Sequence, residues 1–368
     1  MQPEKFYLCG MHKESVLYPL KKVSHVTGHG ALDKVRDYFS GYSKIFVLTD
    51  ENTEKYCLPL LSDRLSSDKK PEIIRILSGE SNKNIETVIS VWDQLTRMEA
   101  DRKALLLNLG GGVITDLGGF AAATYKRGID FINIPTTLLG QVDAAIGSKT
   151  GVDFRNFKNH VGLFADPKAV IIDPLFLETL PEKHLRSGMA EVIKYALIMD
   201  VPLWKRLKGK AYAELLQDVS VITRMSVKDK IAVVRKDKHE SGLRKILNFG
   251  HTAGHALETF LMASDSPATH GEAVAAGMIC AARISTKQTA LAADDAEEIY
   301  NTIDGIFERL LFSEEDIPAL LQLMRQDKKN QKGELRFTLL KKTGEAVPDV
   351  TVSEKTVREV LQFYLNNQ

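Results

Sequence analysis

The chain has 368 residues, enough for two domains with a well-buried core, and its 44% hydrophobic and 26% charged residues are ordinary for a globular protein. Lys+Arg 49 against Asp+Glu 48 leave a formal charge of +1, which excludes a global basic field for nucleic acid or an anionic membrane, so any cationic site must be local. Cys9, Cys57 and Cys280 are odd in number and far apart, which argues against a disulfide framework and for a reducing compartment. No uncharged apolar run reaches the ~18 residues of a membrane span; the expectation is a cytoplasmic protein.

In chain order, residues 45–49, 73–77, 104–109, 131–134 and 170–172 read as strands that alternate with helical patterns, as in a parallel sheet flanked by helices. Beyond Asp173-Pro174 the β-rich runs nearly vanish. Amphipathic helical periodicity then runs to the end, with one weak strand candidate at 335–340. The expected architecture is an α/β, Rossmann-like N-terminal domain over residues 1–175 and a mainly α-helical C-terminal domain over 176–368. No repeat or long linker intervenes, and the active site is expected in the cleft where the two halves meet.

Residues 104–120 have the order strand, glycine turn, helix, with Gly110, Gly111 and Gly112 at the turn. Glycines let a backbone approach a pyrophosphate, and a helix N-terminus favours its charge. The motif is not a strict G-x-G-x-x-G, and a simple tight turn has the same composition. Asp50, closing the first clear strand, suits a ribose hydroxyl and equally a turn. Residues 141–159 are rich in glycine and donors; Lys149, Lys158 and Asn159 suit a phosphorylated substrate, with Lys230, Arg244 and Asn248 as further donors downstream.

His251 and His255 are four apart and share a helix face, a spacing that suits zinc but also two merely hydrogen-bonded imidazoles. Glu191 and Lys194, three apart in Gly-Met-Ala-Glu-Val-Ile-Lys-Tyr, read by themselves as a helix ion pair. His270 opens a helix start in which Thr269 and Glu272 form a capping box, so Glu272 is assigned to the cap. Together, Glu191, His251 and His270 have the imidazole and carboxylate composition of a catalytic divalent-metal site.

These motifs, Gly-Gly-Gly-Val-Ile-Thr-Asp-Leu-Gly-Gly-Phe, Tyr-Lys-Arg-Gly-Ile-Asp-Phe, Pro-Thr-Thr-Leu-Leu, Ser-Gly-Met-Ala-Glu-Val-Ile-Lys-Tyr and Leu-Asn-Phe-Gly-His-Thr-Ala-Gly-His-Ala-Leu-Glu, closely resemble those of the 3-dehydroquinate synthase family of sugar-phosphate cyclases. The resemblance extends over most of the chain. It implies that NAD is contacted by Asp50, Asn52, Glu80, Lys83, Gly111, Gly112, Val113, Asp116, Thr136, Thr137, Asp143, Lys158 and Thr179. It places a zinc or cobalt ion on Glu191, His251 and His270, and gives His255 to the substrate. The further substrate residues it implies are Asp143, Lys149, Asn159, Lys194, Lys230, Arg244 and Asn248, with Lys328 favoured over Lys329 for the phosphate pocket. Arg127 resembles the arginine that family members lend to the adjacent subunit's phosphate site, which implies a homodimer.

The reaction so implied converts 3-deoxy-D-arabino-heptulosonate 7-phosphate to 3-dehydroquinate and phosphate, the second step of the shikimate pathway. It proceeds by transient oxidation with NAD, phosphate elimination, re-reduction and intramolecular aldol closure. Lys149, Asn159, His255 and Lys328 would hold the phosphate, Arg244 and Lys230 the carboxylate. Lys194 and Asn248 would order hydroxyls and a proton-relaying water. A sister cyclase of the 2-deoxy-scyllo-inosose or valiolone type, or a glycerol-dehydrogenase-like oxidoreductase, are the alternatives; Arg244 and Asn248 argue against the first, the lysine-rich set against the second. Three departures stand out, one of them His160, which follows Asn159 where an aliphatic residue is commoner. Ser148 replaces a usual glycine in Gly147-Ser148-Lys149-Thr150, which requires an unusual backbone angle if that glycine served positive φ, and residues 261–269 are slightly long.

Overall fold

The computed structural model describes residues 15–20, 23–65, 70–155, 157–262, 264, 266–326 and 334–366. The chain divides into two compact units, one of the residues up to Pro181 with Val219–Ile231, the other of Glu182–Asp218 with the residues from Ala232.

The first unit is built on a seven-stranded sheet of β1 (Val16–Leu20), β2 (Val23–Thr27), β3 (Ile45–Asp50), β4 (Glu72–Ile76), β5 (Leu105–Gly110), β6 (Asp130–Pro135) and β9 (Ala169–Ile172), in the order β1-β2-β9-β6-β5-β3-β4. All neighbours pair in parallel except β1 with β2. Parallel strands are covered on both faces, which explains the unbroken apolar runs. On one face Phe46, Leu48, Ile74 and Leu106 join one core cluster; on the other, Val47, Leu105, Leu107 and Ile132 join a second. The helices are α1 (Glu51–Tyr56), α2 (Leu58–Ser62), α3 (Ile85–Arg97) and α4 (Gly112–Thr124).

The chain passes from β3 outward to β4 and then back to β5 on the other side of β3. Their carboxyl ends therefore flank the point where strand order reverses, the place at which such sheets receive ligands. Asp50 ends β3 and Gly110 ends β5.

Residues 141–159 are more ordered than their glycine content predicts. They include a π-helical turn (Gly140–Ala144) and a two-stranded antiparallel ribbon of β7 (Lys149–Phe154) and β8 (Phe157–Phe164).

The second unit contains α5 (Glu182–Ile198), α6 (Val201–Leu207), α7 (Tyr212–Gln217), α9 (His251–Leu261), α10 (His270–Gln288), α11 (Ala293–Asp304), α12 (Ile317–Gln326) and α13 (Glu354–Asn366). The weak strand signal marks β10 (Leu335–Lys342), which pairs antiparallel with β11 (Glu345–Val352). The β11 strand carries Pro348 and a left-handed Asp349 at φ 59°, features that hide it from a strand pattern.

The sequence places the boundary at 175, and the compact units can be set beside it. The division lies after Pro181, and α8 (Val219–Lys236) contributes its first 13 residues, Val219–Ile231, to the first unit. Helical periodicity records that α8 has a buried face, not which core buries it.

Candidate active site

The second unit brings Glu191, His251 and His270 together. Two close helix contacts do this. A Cβ on Gly271 would fall 2.0 Å from the Ser187 carbonyl oxygen, so only glycine lets the start of α10 abut α5 one turn before Glu191. The Gly271 N–H also donates to Ser187 Oγ at 3.0 Å. On the other side, a Cβ on Gly277 would lie 1.9 Å from the Gly250 carbonyl oxygen, so α9 and α10 meet backbone to backbone. His251 and His270 are the first residues of their helices, and Thr269 and Glu272 form the reciprocal cap that starts α10.

Glu191 is fully buried; its Oε1 lies 3.5 Å from His251 Nε2 and 3.4 Å from His270 Nε2. One donor atom from each residue falls within a 4.8 Å set. A carbonyl only accepts, so His251 Nδ1, 3.0 Å from the Phe249 oxygen, carries a proton, and Nε2 is the ring nitrogen turned to Glu191. His270 Nδ1 likewise donates to Glu258 Oε2 at 3.1 Å.

The donor set fits a divalent cation. Ligand bonds of about 2.0–2.1 Å in a tetrahedron give edges of about 3.4 Å, and the observed separations are 3.4 and 3.5 Å. In the structure as it stands, burial would lower the His270 pKa, but the hydrogen bonds that its ring donates to the Glu191 and Glu258 carboxylates outweigh it and raise it to about 10. The cluster therefore calls for positive charge. Lys194, one turn along α5 and 1% exposed, supplies some by pairing with Glu191.

His255 lies on the same face of α9, its ring 5.2 Å from that of His251 and 5.9 Å from that of His270. It also groups with Glu258 and His270 as a second set of donors within 4.8 Å. Glu258 was missed from the sequence, although His251, His255 and Glu258 have the i, i+4, i+7 spacing of one helix face.

Arg244 and Asn248 stand on a 3-10 turn (Leu243–Asn248) next to residues 237–242. Arg244, 3% exposed, donates from Nη1 to the Lys238 carbonyl at 2.6 Å, and Asn248 Nδ2 donates to Glu240 Oε1 at 2.9 Å. Asp237 ties this loop by accepting from the N–H groups of Arg244, Gly242 and Ser241, which pull its pKa down to about 2. Asp237 and Glu240 carried no signal beyond their charge.

The first unit holds two further clusters. Lys83, 4% exposed, donates to Asp116 Oδ2 and Asn159 Oδ1, both at 2.7 Å, with Glu80 3.9 Å away. Burial would lower its pKa, but Asp116 and the nearby carboxylates of Glu80 and Asp153 raise it, so the ammonium is held charged. Lys230 on α8 donates to Asp143 Oδ1 at 2.8 Å. These bonds join residues assigned to the nucleotide (Glu80, Lys83, Asp116) and to the substrate (Asn159, Lys230).

Asp50 caps α1 by accepting from Thr53 N–H at 2.8 Å, so the bland expectation for it is met. Gly111 is the N-cap of α4 and Gly112 and Val113 its first turn; Thr136 follows β6, its N–H donating to the Gly110 carbonyl at 3.0 Å, and Thr137 Oγ1 accepts from Gly140 N–H. Lys158 is half-buried on β8, while Asn52, Lys149 and Thr179 are exposed. Arg127 is exposed on a turn whose residues Lys126, Arg127 and Gly128 all have positive φ, of 49°, 68° and 109°. Ser148 adopts the anticipated left-handed angle, φ 63°, and its hydroxyl bonds to Asp166. Lys328 and Lys329 lie outside the described residues.

An open parallel sheet with its glycine turn at the reversal point, followed by a helical unit carrying this Glu-His-His cluster, is the architecture of the sugar-phosphate cyclase class. Similar folds are a 2-deoxy-scyllo-inosose synthase complexed with carbaglucose-6-phosphate, NAD+ and Co2+ (TM-score 0.83, 23% identity, 95% of this chain and 99% of that one), and the 2-epi-5-epi-valiolone synthase of Streptomyces hygroscopicus subsp. jinggangensis with NAD+ and Zn2+ bound (TM-score 0.80, 28% identity, 88% and 91%). Residues 73–187 match the family model described as 3-dehydroquinate synthase N-terminal, and residues 188–330 the one described as 3-dehydroquinate synthase C-terminal. The 3-dehydroquinate synthase of Parabacteroides distasonis is 40% identical over 340 residues, 90% of this chain and 94% of that protein. The chain belongs to the 3-dehydroquinate synthase family of carbon–oxygen lyases.

Proposed function

We propose that the chain converts 3-deoxy-D-arabino-heptulosonate 7-phosphate to 3-dehydroquinate and inorganic phosphate, with NAD regenerated in each turnover and a zinc or cobalt ion as cofactor. The observation that carries this reading is the convergence of Glu191, His251 and His270, separated as ligands of one ion are. When bound, the cation supplies Lewis acidity to substrate hydroxyls, and the dinucleotide supplies a reversible hydride acceptor.

The chain's own residues bind, orient and relay protons. Arg244 offers a planar fork to the substrate carboxylate, exchanging the Lys238 carbonyl for a charged partner. Lys230 serves the same end of the substrate and Asp143 positions it. Lys149, Asn159, His255 and Lys328 hold the phosphate. Lys194 and Asn248 orient hydroxyls, and Lys194, charged beside Glu191, moves a proton at its Nζ. The nucleotide falls to Asp50, Asn52, Glu80, Lys83, Gly111, Gly112, Val113, Asp116, Thr136, Thr137, Asp143, Lys158 and Thr179.

The same reading gives a cytoplasmic homodimer in which Arg127 reaches the neighbouring copy's phosphate site. The strained turn at Lys126–Gly128, which holds Arg127 in solvent, supports it. Among the described residues no helix is long and apolar enough to cross a membrane.

Phosphate release from the heptulosonate phosphate, with NAD and zinc present and no NADH accumulating at 340 nm, is the direct test. Chelation should abolish the release, and zinc or cobalt should restore it. Full activity of a metal-free preparation refutes the ligand assignment; stoichiometric NADH formed with a polyol favours an oxidoreductase instead.

A further inference from the structure

Glu258 belongs to none of the roles assigned above, yet it is a carboxylate only 7% exposed. Burying an ionised carboxylate costs several kcal/mol unless partners offset it, so its placement needs a reason. It sits on α9 seven residues after His251 and accepts from His270 Nδ1 at 3.1 Å, while the opposite edge of that ring faces Glu191.

The two histidines are thus supported unequally. His251 Nδ1 leans on a neutral main-chain carbonyl, that of Phe249, two residues back. His270 Nδ1 leans on a charge delivered from another helix. An anion on the Nδ1–H fixes the tautomer, sets the ring plane and increases electron donation from Nε2.

We propose that Glu258 is a positioning residue for the cation: it acts through His270, locking Nε2 towards Glu191 and strengthening it as a ligand, without itself joining the ion. The inference rests on the reading that Glu191, His251 and His270 hold that ion. The role is read in metal affinity, apart from catalysis.

The test titrates chelator-stripped wild type, E258Q and E258A with zinc against a chromophoric competitor, and with cobalt read by its visible absorption. We expect E258A to weaken zinc binding by about 10- to 100-fold. Glutamine retains an oxygen acceptor for Nδ1–H but not the charge, so E258Q should fall between wild type and E258A and restore much of the cobalt spectrum. A residue that only packed would lower the melting temperature of the apoprotein and leave zinc affinity alone. Tight zinc binding by wild type that stays within about threefold in both variants overturns the positioning role while leaving the metal reading intact. If E258A does not fold, E258Q and wild type decide by the same criterion. A second cobalt equivalent bound by wild type and lost in E258Q would make Glu258 a ligand with His255 and His270, which also overturns the proposal. Failure of wild type to bind zinc at all sinks both readings together.

Discussion

Gly271 faces the carbonyl oxygen of Ser187 so closely that a β-carbon would come within 2.0 Å of it. The start of α10 therefore reaches α5 only with hydrogen at this position. G271A should cost about 1–3 kcal/mol by overpacking and push His270 away from Glu191. Urea midpoints and zinc competition read the two effects; a variant with unchanged zinc affinity would show that this contact does not place His270.

Arg244 is buried and already bonded to a neutral carbonyl. R244A should cost at least about 2 kcal/mol of substrate binding, since a carboxylate would lose a charged partner. That is roughly a 30-fold fall in kcat/KM. R244K should recover little, because an ammonium cannot reproduce the two parallel bonds. Unchanged kcat and KM in R244A would remove this side chain from the substrate.

Ser148 occupies a left-handed backbone angle and bonds Asp166 through its hydroxyl. Relief of the angle is worth about 1 kcal/mol, and so is the hydrogen bond. S148G should thus match wild type within about 0.5 kcal/mol. S148A keeps the strain and loses the bond, and should be about 1 kcal/mol less stable. Equal stability of S148A and wild type would show that the hydroxyl contributes nothing.

His25, on β2, is buried, and burial drives its pKa from 6.5 to about 4 against the opposing hydrogen bond to the Tyr18 carbonyl. The folded chain resists the proton while the unfolded chain accepts it. Stability from this residue is therefore complete above pH 6.5 and is lost as pH falls towards 4. The loss is about 3 kcal/mol. Denaturation midpoints of wild type and H25N over that range check it; parallel curves would exonerate His25.

Five strands of the first unit, β3, β4, β5, β6 and β9, are legible; for those inside the sheet, burial on both faces leaves runs such as Ile-Phe-Val-Leu-Thr and Leu-Leu-Leu-Asn-Leu. The β7–β8 ribbon is not, since Lys158, Asn159, His160 and Gly162 interrupt any apolar alternation. Spacing left His251 and His255 equivalent; what separates them is which ring reaches Glu191, a matter of where α5 runs relative to α9. The partners of Arg244 and Asn248 come from residues 237–242, held by backbone N–H groups converging on Asp237. No residue type announces such a loop. The allegiance of α8 was invisible for a similar reason: amphipathic spacing shows that a helix is covered and leaves the cover unnamed.

That helix has a practical consequence. Because Val219–Ile231 folds with the residues preceding Pro181, the polypeptide visits the first body, leaves, and comes back. A protease nick after Pro181 would yield two pieces, the first short of the Val219–Ile231 segment that its core needs and the second still holding it, and they would stay together on a sizing column until denaturant was added. Attempts to express either half as one contiguous stretch would leave one product missing a rib and the other carrying a surplus one.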